Sequence, residues 1–160
     1  MGVKCSSSHQ SIAAYFSAVM DIVKEEMTNG LSYLGEQCII KIRKRSNEES
    51  WNDISGNLRT STGYGVSDHG KKVVESAFKQ VLDGTQGAQE GKALLEELTK
   101  QYADTYALIV VAGMDYADRV EAMESKDVLA STELWAKNKL DSNIKRIEKK
   151  IEQRIKRLKL

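Results

Sequence analysis

The sequence predicts an α+β fold in which a small antiparallel or mixed sheet packs with long amphipathic helices at the N-terminal and C-terminal ends of the chain. The run from Ala107 to Ala112 is apolar, rich in β-branched residues and followed by Gly113, which is typical of a strand buried on both faces and predicts the central strand of the sheet. Apolar residues recur every three or four positions over 11–45 and again over 132–160, which indicates two long helices that cover the sheet.

Charge is distributed unevenly along the 160 residues, although the net charge of the whole chain is only +1. Residues 132–160 hold ten Lys and Arg against four Asp and Glu, a net charge of +6, so residues 1–131 carry −5. We therefore divide the chain into an α+β domain, 1–131, and a basic amphipathic helix, 132–160, that packs on this domain or on a neighbouring subunit. Such a dipolar chain favours head-to-tail association, acidic body against basic tail.

The N-terminal helix is expected to run from Ser11 to Arg45. Asn29-Gly30 lies inside it and permits a kink or a break into two helices, but the apolar pattern keeps its phase, which favours a nearly continuous helix. The basic residues at its end stand where a helix C-terminus favours positive charge. The polar segment 46–57 then holds Trp51, which we expect to fold back onto the core.

The middle of the chain is predicted from turn residues and periodicity. Thr62 to Val66 indicates a strand with two glycines on one face, where another element approaches closely, and 67–70 has the composition of a hairpin turn. The pattern over 72–82 fits a helix better than a strand, but the choice stays open. Gly84 to Gly91 is expected to be a flexible loop that lacks the Gly-Lys-Ser/Thr ending of a phosphate-binding loop, and 92–102 a short helix.

The last helix is predicted to start at Ser131 as its N-cap and to continue to the end of the chain. At about 1.5 Å per residue its 29 residues extend roughly 43 Å, longer than a compact body of this size, so its last two turns should overhang and expose apolar side chains. The stripe predicted to contact another subunit consists of Ile144, Ile147, Ile151, Ile155 and Leu158. The candidate DNA-facing residues are Lys145, Arg146, Lys149, Lys150, Arg154, Lys156 and Arg157.

The residue pattern predicts no catalytic site, no metal site and no cofactor. Ser67, Asp68 and His69 are adjacent in a turn and do not converge on a substrate, while Cys5, His9 and Cys38 make half a zinc site at best. A cluster of Asp115, Asp118 and Glu121 has the ligands for a divalent cation, but a solvated acidic turn paired with Arg119 is the favoured interpretation. Since no apolar segment reaches the length of a membrane span, no membrane association is expected.

Two segments resemble a known family. Residues 51–61, Trp-Asn-Asp-Ile-Ser-Gly-Asn-Leu-Arg-Thr-Ser, are followed by Tyr64, and residues 108–121, an apolar strand that leads into Tyr-Ala-x-x-Val-Glu, are followed by Asp-Val-Leu at 127–129. Together they resemble blocks of the tail-completion or head–tail joining proteins, minor tail components of the neck, of long-tailed bacteriophages. The residues that match are Trp51, Gly56, Leu58, Arg59, Tyr116, Ala117, Val120 and Glu121.

The resemblance implies a non-enzymatic virion protein that forms a homo-oligomeric ring between the capsid connector and the tail tube. Residues 1–131 would be the tail-completion-like domain, with other neck and tail proteins as partners and DNA as a candidate partner in the pore. The protein would occupy the host cytoplasm before assembly and the virion neck or tail afterwards. By this resemblance, Arg59 and Glu121 are expected to pair. The alternative function is a small nucleic-acid-binding protein that uses the basic C-terminal helix.

Overall fold

A computed structural model describes residues 9–45, 54–122 and 128–158, without the side chains of His9 and Glu121. In chain order the described residues form α1 (His9–Arg43), α2 (Asn57–Thr60), β1 (Thr62–Asp68), β2 (Lys71–Glu75), α3 (Thr85–Lys100), β3 (Tyr106–Ala112), α4 (Ala117–Ala122) and α5 (Ala130–Ile155). The long terminal helices and the small sheet confirm the predicted α+β fold.

The elements stack in four layers, α3, sheet, α1 and α5. The sheet is antiparallel with strand order β2-β1-β3. On its α1 side Tyr64 and Val66 pack against Leu31 and Ile42, and on its α3 side Leu95 packs with residues of β3. Helix α5 packs on α1 of the same chain, on a face other than the one that covers the sheet. Because α1 buries two faces at once, it is the element that joins the sheet to α5.

The central strand is β1, so the prediction that the apolar run of β3 forms the buried centre of the sheet is wrong. β3 lies at an edge, and four of its seven residues, the first three and Val110, are only partly buried, whereas β1 is buried along nearly its whole length. β1 looks less hydrophobic because it contains Gly63 and Gly65. A Cβ at Gly63 would lie 2.4 Å from the Phe78 ring, and one at Gly65 would lie 2.9 Å from Leu95 Cδ1. The close approach predicted at these glycines is therefore present.

The hairpin predicted at 67–70 is present, and it decides the open choice for the residues that follow. Asp68 faces Lys71 across a two-residue loop, in which His69 and Gly70 both have positive φ, 50° and 77°. Two positive φ values in succession match the right-handed twist of a strand pair. Residues 71–75 consequently pair with β1 as a strand, although their spacing favoured a helix.

The glycine-rich segment is helical, so the prediction of a flexible loop over 84–91 is wrong. Helix α3 begins at Thr85, and the face that carries Gly87 and Gly91 packs against α2 and the start of β1. A Cβ at Gly87 would lie 2.0 Å from the Asn57 carbonyl oxygen. The Asn57 side-chain oxygen also accepts a hydrogen bond of 3.1 Å from the Gly87 N–H, which satisfies a free donor in the first turn of α3. The glycines here serve close packing.

Helix α1 continues through Asn29-Gly30, as the phase of its apolar pattern predicts. The reason for a glycine at position 30 is its contact with α5. A Cβ there would lie 2.3 Å from Ile147 Cδ1, and Asn143 Nδ2 donates a 3.0 Å hydrogen bond to the Gly30 carbonyl. The glycine lets the two antiparallel helices approach closely at the level of Ile147.

Arg45 ties the end of α1 to the start of α5. Its guanidinium donates to the Val128 carbonyl at 3.0 Å, to Ser131 Oγ at 2.9 Å and to Thr132 Oγ1. Helix α5 begins at Ala130 with no side-chain cap, so the prediction of Ser131 as N-cap is wrong. The Ser131 hydroxyl instead accepts a hydrogen bond from Arg45. The positive charge of Arg45, which was predicted to interact with the dipole of α1, therefore holds the start of α5 in place.

Replacing Arg45 with alanine is expected to lower the free energy of unfolding by about 1–2 kcal/mol, because three acceptors, including the buried Thr132 hydroxyl, lose a charged donor. Urea unfolding followed by circular dichroism measures the change. Lys44→Ala, which removes an exposed basic side chain one position earlier, is the control and should have little effect. Equal losses for the two variants would contradict the role given to Arg45.

The thiol of Cys38 is buried in α1 with 0% of its surface exposed, and burial raises its pKa to about 11. The folded protein holds the neutral thiol, so stability from this group is complete below the ordinary pKa of 9.0 and is lost as pH rises through about 11. We expect the free energy of unfolding to fall over this window, and Cys38→Ala to reduce the pH dependence.

The reactivity of Cys38 tests the same burial. In a Cys5→Ser background, disulfide exchange between Cys38 and a soluble reagent should be about 100-fold slower in the folded protein than in the urea-unfolded chain, because a smaller fraction of the thiol is ionised. Equal rates would refute the burial.

Candidate interaction surfaces

The two segments that resemble the phage family meet at one end of the sheet. Thr62, which follows the first segment, lies opposite Ala112 at the end of β3, and the Gly113 N–H donates to the Ser61 carbonyl at 3.3 Å. Gly56 has φ 79° at the start of α2, a left-handed conformation that a residue with a side chain rarely adopts. The turn before β1 and the start of the crossing after β3 are therefore joined at this end of the sheet, through the backbone of Ser61 and Gly113.

Most matching residues with described side chains are structural. Leu58 and Ala117 are buried in the core between sheet and α1, and Val120 packs against it. Arg59 is half-buried and Tyr116 exposed. Trp51 and the side chain of Glu121 lie outside the described residues, so the expected lid and the Arg59–Glu121 pair stay predictions.

The apolar stripe of α5 is covered largely by α1 of the same chain. Ile147 is 1% exposed, and the other four residues of the predicted interface are half-buried. These four are Ile144, Ile151, Ile155 and Leu158. The expected overhang of α5 is therefore absent, because α1 is longer than α5 and supports it along its described length. The contact of this stripe with another subunit remains a prediction.

The projecting end belongs to α1. Arg154 near the end of α5 bonds to Glu25 and Glu26, so the first turns of α1 lie beyond the described end of α5. Phe16 is 63% exposed and Met20 55% exposed in this part of α1. The apolar periodicity of the first helix included Phe16, but it could not show that this part of α1 extends past the end of α5.

Part of the predicted DNA-facing set is engaged within the chain. Arg154 makes ion pairs of 2.8 Å with Glu25 and 2.9 Å with Glu26, which lower the pKa of Glu25 and raise that of Arg154. Lys150 lies 3.9 Å from Glu26, and the Arg146 guanidinium stacks 4.2 Å above the Tyr33 ring. These three basic side chains bind α5 to α1.

The remaining residues of the predicted DNA-facing set form an exposed surface at the end of α5, here called the basic face, that consists of Lys145, Lys149, Lys156 and Arg157. Helix α5 ends at Ile155 instead of continuing to the end of the chain, so Lys156 is its C-cap and Arg157 lies in the turn that follows. Within the described parts of the chain, none of the four has an ion-pair partner within 4.0 Å. Lys145, Lys149 and Lys156 fall on one line along the helix, since their spacings of four and seven residues are close to whole turns. This line points away from α1 and remains available to a partner.

A groove of about 480 Å³ lies between α3 and the crossing after β3. Four carboxylates line it, those of Glu90, Glu97, Asp115 and Asp118, and we call it the acidic groove. Its other lining residues are small or apolar, and none of those identified is basic. No ion pair to the four carboxylates occurs within the described residues. The groove thus carries negative charge that the described part of the chain leaves uncompensated.

Sequence reasoning identified two of the four carboxylates, Asp115 and Asp118. It missed Glu90 and Glu97 because the first of them was assigned to a loop. Their spacing of seven residues, two helical turns, was the available signal, since it puts them on one face of a helix. Among the described side chains no group of three or more His, Cys, Asp or Glu is placed to hold a metal ion. The third member of the cation-site alternative, Glu121, lies outside them.

The described residues assemble no nucleophile and base. The Asp68 carboxylate lies 2.5 Å from His69 Nδ1 at the hairpin tip, and this contact lowers the pKa of Asp68. Ser67 is buried on the strand, and its hydroxyl has no described hydrogen-bond partner. None of the helices in the described ranges combines the length and hydropathy that a membrane crossing requires.

Comparisons of this chain with protein-family models, with curated proteins and with solved structures find no match.

Proposed function

We propose that this chain is a structural, non-enzymatic virion protein of a tailed bacteriophage that acts in tail completion or head–tail joining as a homo-oligomeric ring. Its partners would be other copies of itself and neighbouring neck and tail proteins. The observation that carries the proposal is the meeting of the two family-like segments, about 45 residues apart in the sequence, at Thr62 and Ala112 on adjacent strands. Two short motifs that matched by chance would have no reason to build one end of a sheet together.

The surface supports assembly as the mode of action. The basic face of α5, the acidic groove and the exposed apolar end of α1 are three surfaces that the described chain does not use for its own folding. Oppositely charged surfaces on one chain are suited to repeated contacts between identical copies. An enzymatic function has no comparable support among the described residues, where no acid–base or nucleophilic constellation is assembled.

The proposal is tested in a phage whose genome encodes this chain. An amber mutation in the gene should yield full heads and separate tails in the electron microscope, and complementation should restore joined particles. The purified protein should form rings visible by negative staining, either alone or on purified tails. Normal, infectious particles that lack the chain by mass spectrometry would overturn the proposal.

Nucleic-acid binding is the second candidate, and the exposed basic face is the observation that favours it. Binding through phosphates would show as salt-dependent retention of the monomer on double-stranded DNA. Lys145→Glu/Lys149→Glu should abolish the retention, whereas Lys137→Glu on the same helix should have a smaller effect. The absence of aromatic side chains among the basic residues gives no support for base stacking.

A further inference from the structure

We infer that the acidic groove of one copy receives the basic face of α5 of the next copy, so that the subunits associate head to tail. This inference rests on the proposed ring and names the two surfaces that would form its repeated contact. The occupant of the groove is a second copy of this chain, because the chain itself carries the complementary surface.

The spacing of two carboxylates in the groove matches the spacing of two lysines on the basic face, between which the exposed Glu152 also lies. Glu90 and Glu97 are seven residues apart on α3, and Lys149 of α5 is seven residues from Lys156, the C-cap of that helix, which keeps a helical backbone conformation. At 1.5 Å per residue, each pair extends about 10.5 Å along its helix. Two helices that lie side by side can therefore form both ion pairs at once. Several pairs in a partly desolvated groove exceed the small contribution of one exposed pair.

The groove can accept the long lysine side chains. Its apolar lining includes Leu94, Ala112 and Met114, and Asp115 and Asp118 stand at its crossing side. Lysine buries its methylene stem against apolar surface while its ammonium group reaches a carboxylate. An aliphatic stem with a charged end therefore fits this groove better than a compact cation would, since the groove has no described cluster of metal ligands.

The two surfaces lie in opposite outer layers of the molecule. The acidic groove borders α3, while the basic face belongs to α5, and the sheet and α1 separate these helices. The groove of a chain is therefore not filled by α5 of the same chain. A contact between two different surfaces is heterologous, and repeated heterologous contacts close into a ring when the rotation between subunits permits it.

The test uses two charge-reversed variants of the full chain. Glu90→Lys/Glu97→Lys alters the groove, and Lys149→Glu/Lys156→Glu alters the basic face. Each variant alone should be monomeric by light scattering in about 0.1 M salt, at concentrations where the wild type forms oligomers. An equimolar mixture should form mixed oligomers in which the two variants alternate, because the native groove of one variant faces the native basic face of the other and the two reversed surfaces are also complementary. All four substitutions in one chain should restore oligomers.

Lys137→Glu/Lys139→Glu makes the same charge change elsewhere on α5, and circular dichroism confirms folding of every variant. The oligomers of this control variant should have the same size as those of the wild type.

Unchanged oligomers in both charge-reversed variants would overturn this inference while the proposed ring stands. A wild type that shows no self-association by sedimentation up to millimolar concentration would also overturn it. Loss of DNA retention in Lys149→Glu/Lys156→Glu with unchanged oligomers would assign the basic face to nucleic acid. Failure of the proposed function would show separately, as normal particles that lack the chain.

Discussion

Replacing Ile147 with alanine is expected to lower the free energy of unfolding by about 2–5 kcal/mol, the range for removing a fully buried aliphatic side chain. Ile147 is 1% exposed, and its Cδ1 occupies the space that a Cβ at position 30 would fill if Gly30 carried a side chain. The α1 backbone cannot move closer to α5 without shifting the Asn143–Gly30 hydrogen bond. A cavity should therefore persist at the centre of the α1–α5 contact. Urea unfolding followed by tryptophan fluorescence and circular dichroism measures the loss.

The matched control is Ile40→Ala, which makes the same chemical change on α1 where the side chain is 49% exposed. Its effect should be below about 1 kcal/mol, because little apolar surface is returned to water. Ile151→Ala, at a half-buried position on the same stripe, should fall between the two. Equal losses at positions 147 and 40 would show that α5 does not depend on α1. Oligomer measurements on Ile147→Ala require a folded monomer, because loss of assembly would otherwise reflect unfolding.

The overhang prediction failed because it compared α5 with a compact body. An α-helix of 35 residues is about 52 Å long at 1.5 Å per residue, so α1 makes the molecule elongated and gives α5 a partner along its length. Periodicity located both apolar stripes and hence the helices. It did not show which stripe faces which element, because α1 presents one face to the sheet and another to α5. The exposed end at Phe16 follows from the relative lengths of the two helices.

Hydrophobicity alone did not rank the strands. The run of β3 suggested the centre of the sheet, while β1 is the central strand and contains two glycines. A glycine contributes little to an apolar pattern. At Gly63 and Gly65, however, the missing side chain leaves room for Phe78 and Leu95, so side chains from outside β1 bury this strand. Turn chemistry was more informative, since the hairpin at His69 and Gly70 was correctly placed by local preferences.

The acidic groove is assembled from α3 and the segment after β3, which are separated in the sequence. Only Asp115 and Asp118, which are close in sequence, were recognised as a cluster. Recognising Glu90 required the knowledge that 85–91 is helical, and the three glycines of 84–91 argued against a helix. The basic face was easier to predict because its members lie close together in the sequence, on α5 and at its C-terminal end, where helical periodicity fixes most of their relative positions.

Replacing Gly87 with alanine is expected to destabilise the protein by about 3 kcal/mol, although the same change normally stabilises a helix by up to about 1 kcal/mol. The new Cβ would lie 2.0 Å from the Asn57 carbonyl oxygen, a backbone atom that no rotamer change can move away. Separating α3 from α2 would also lengthen the hydrogen bond from the Gly87 N–H to Asn57 Oδ1. Thermal unfolding followed by circular dichroism, together with urea titration, measures the change.

The sign of the effect decides between the two interpretations of the glycine-rich segment. Gln89→Ala on the exposed face of α3 is the control, and it should leave stability unchanged or slightly raised, because alanine has the higher helix propensity. In a flexible loop, Gly87→Ala would be neutral or would stabilise by restricting the unfolded chain. Stabilisation by both variants would therefore contradict the close packing of α3 on α2. Destabilisation by Gly87→Ala alone is expected, since only that Cβ meets a backbone it cannot displace.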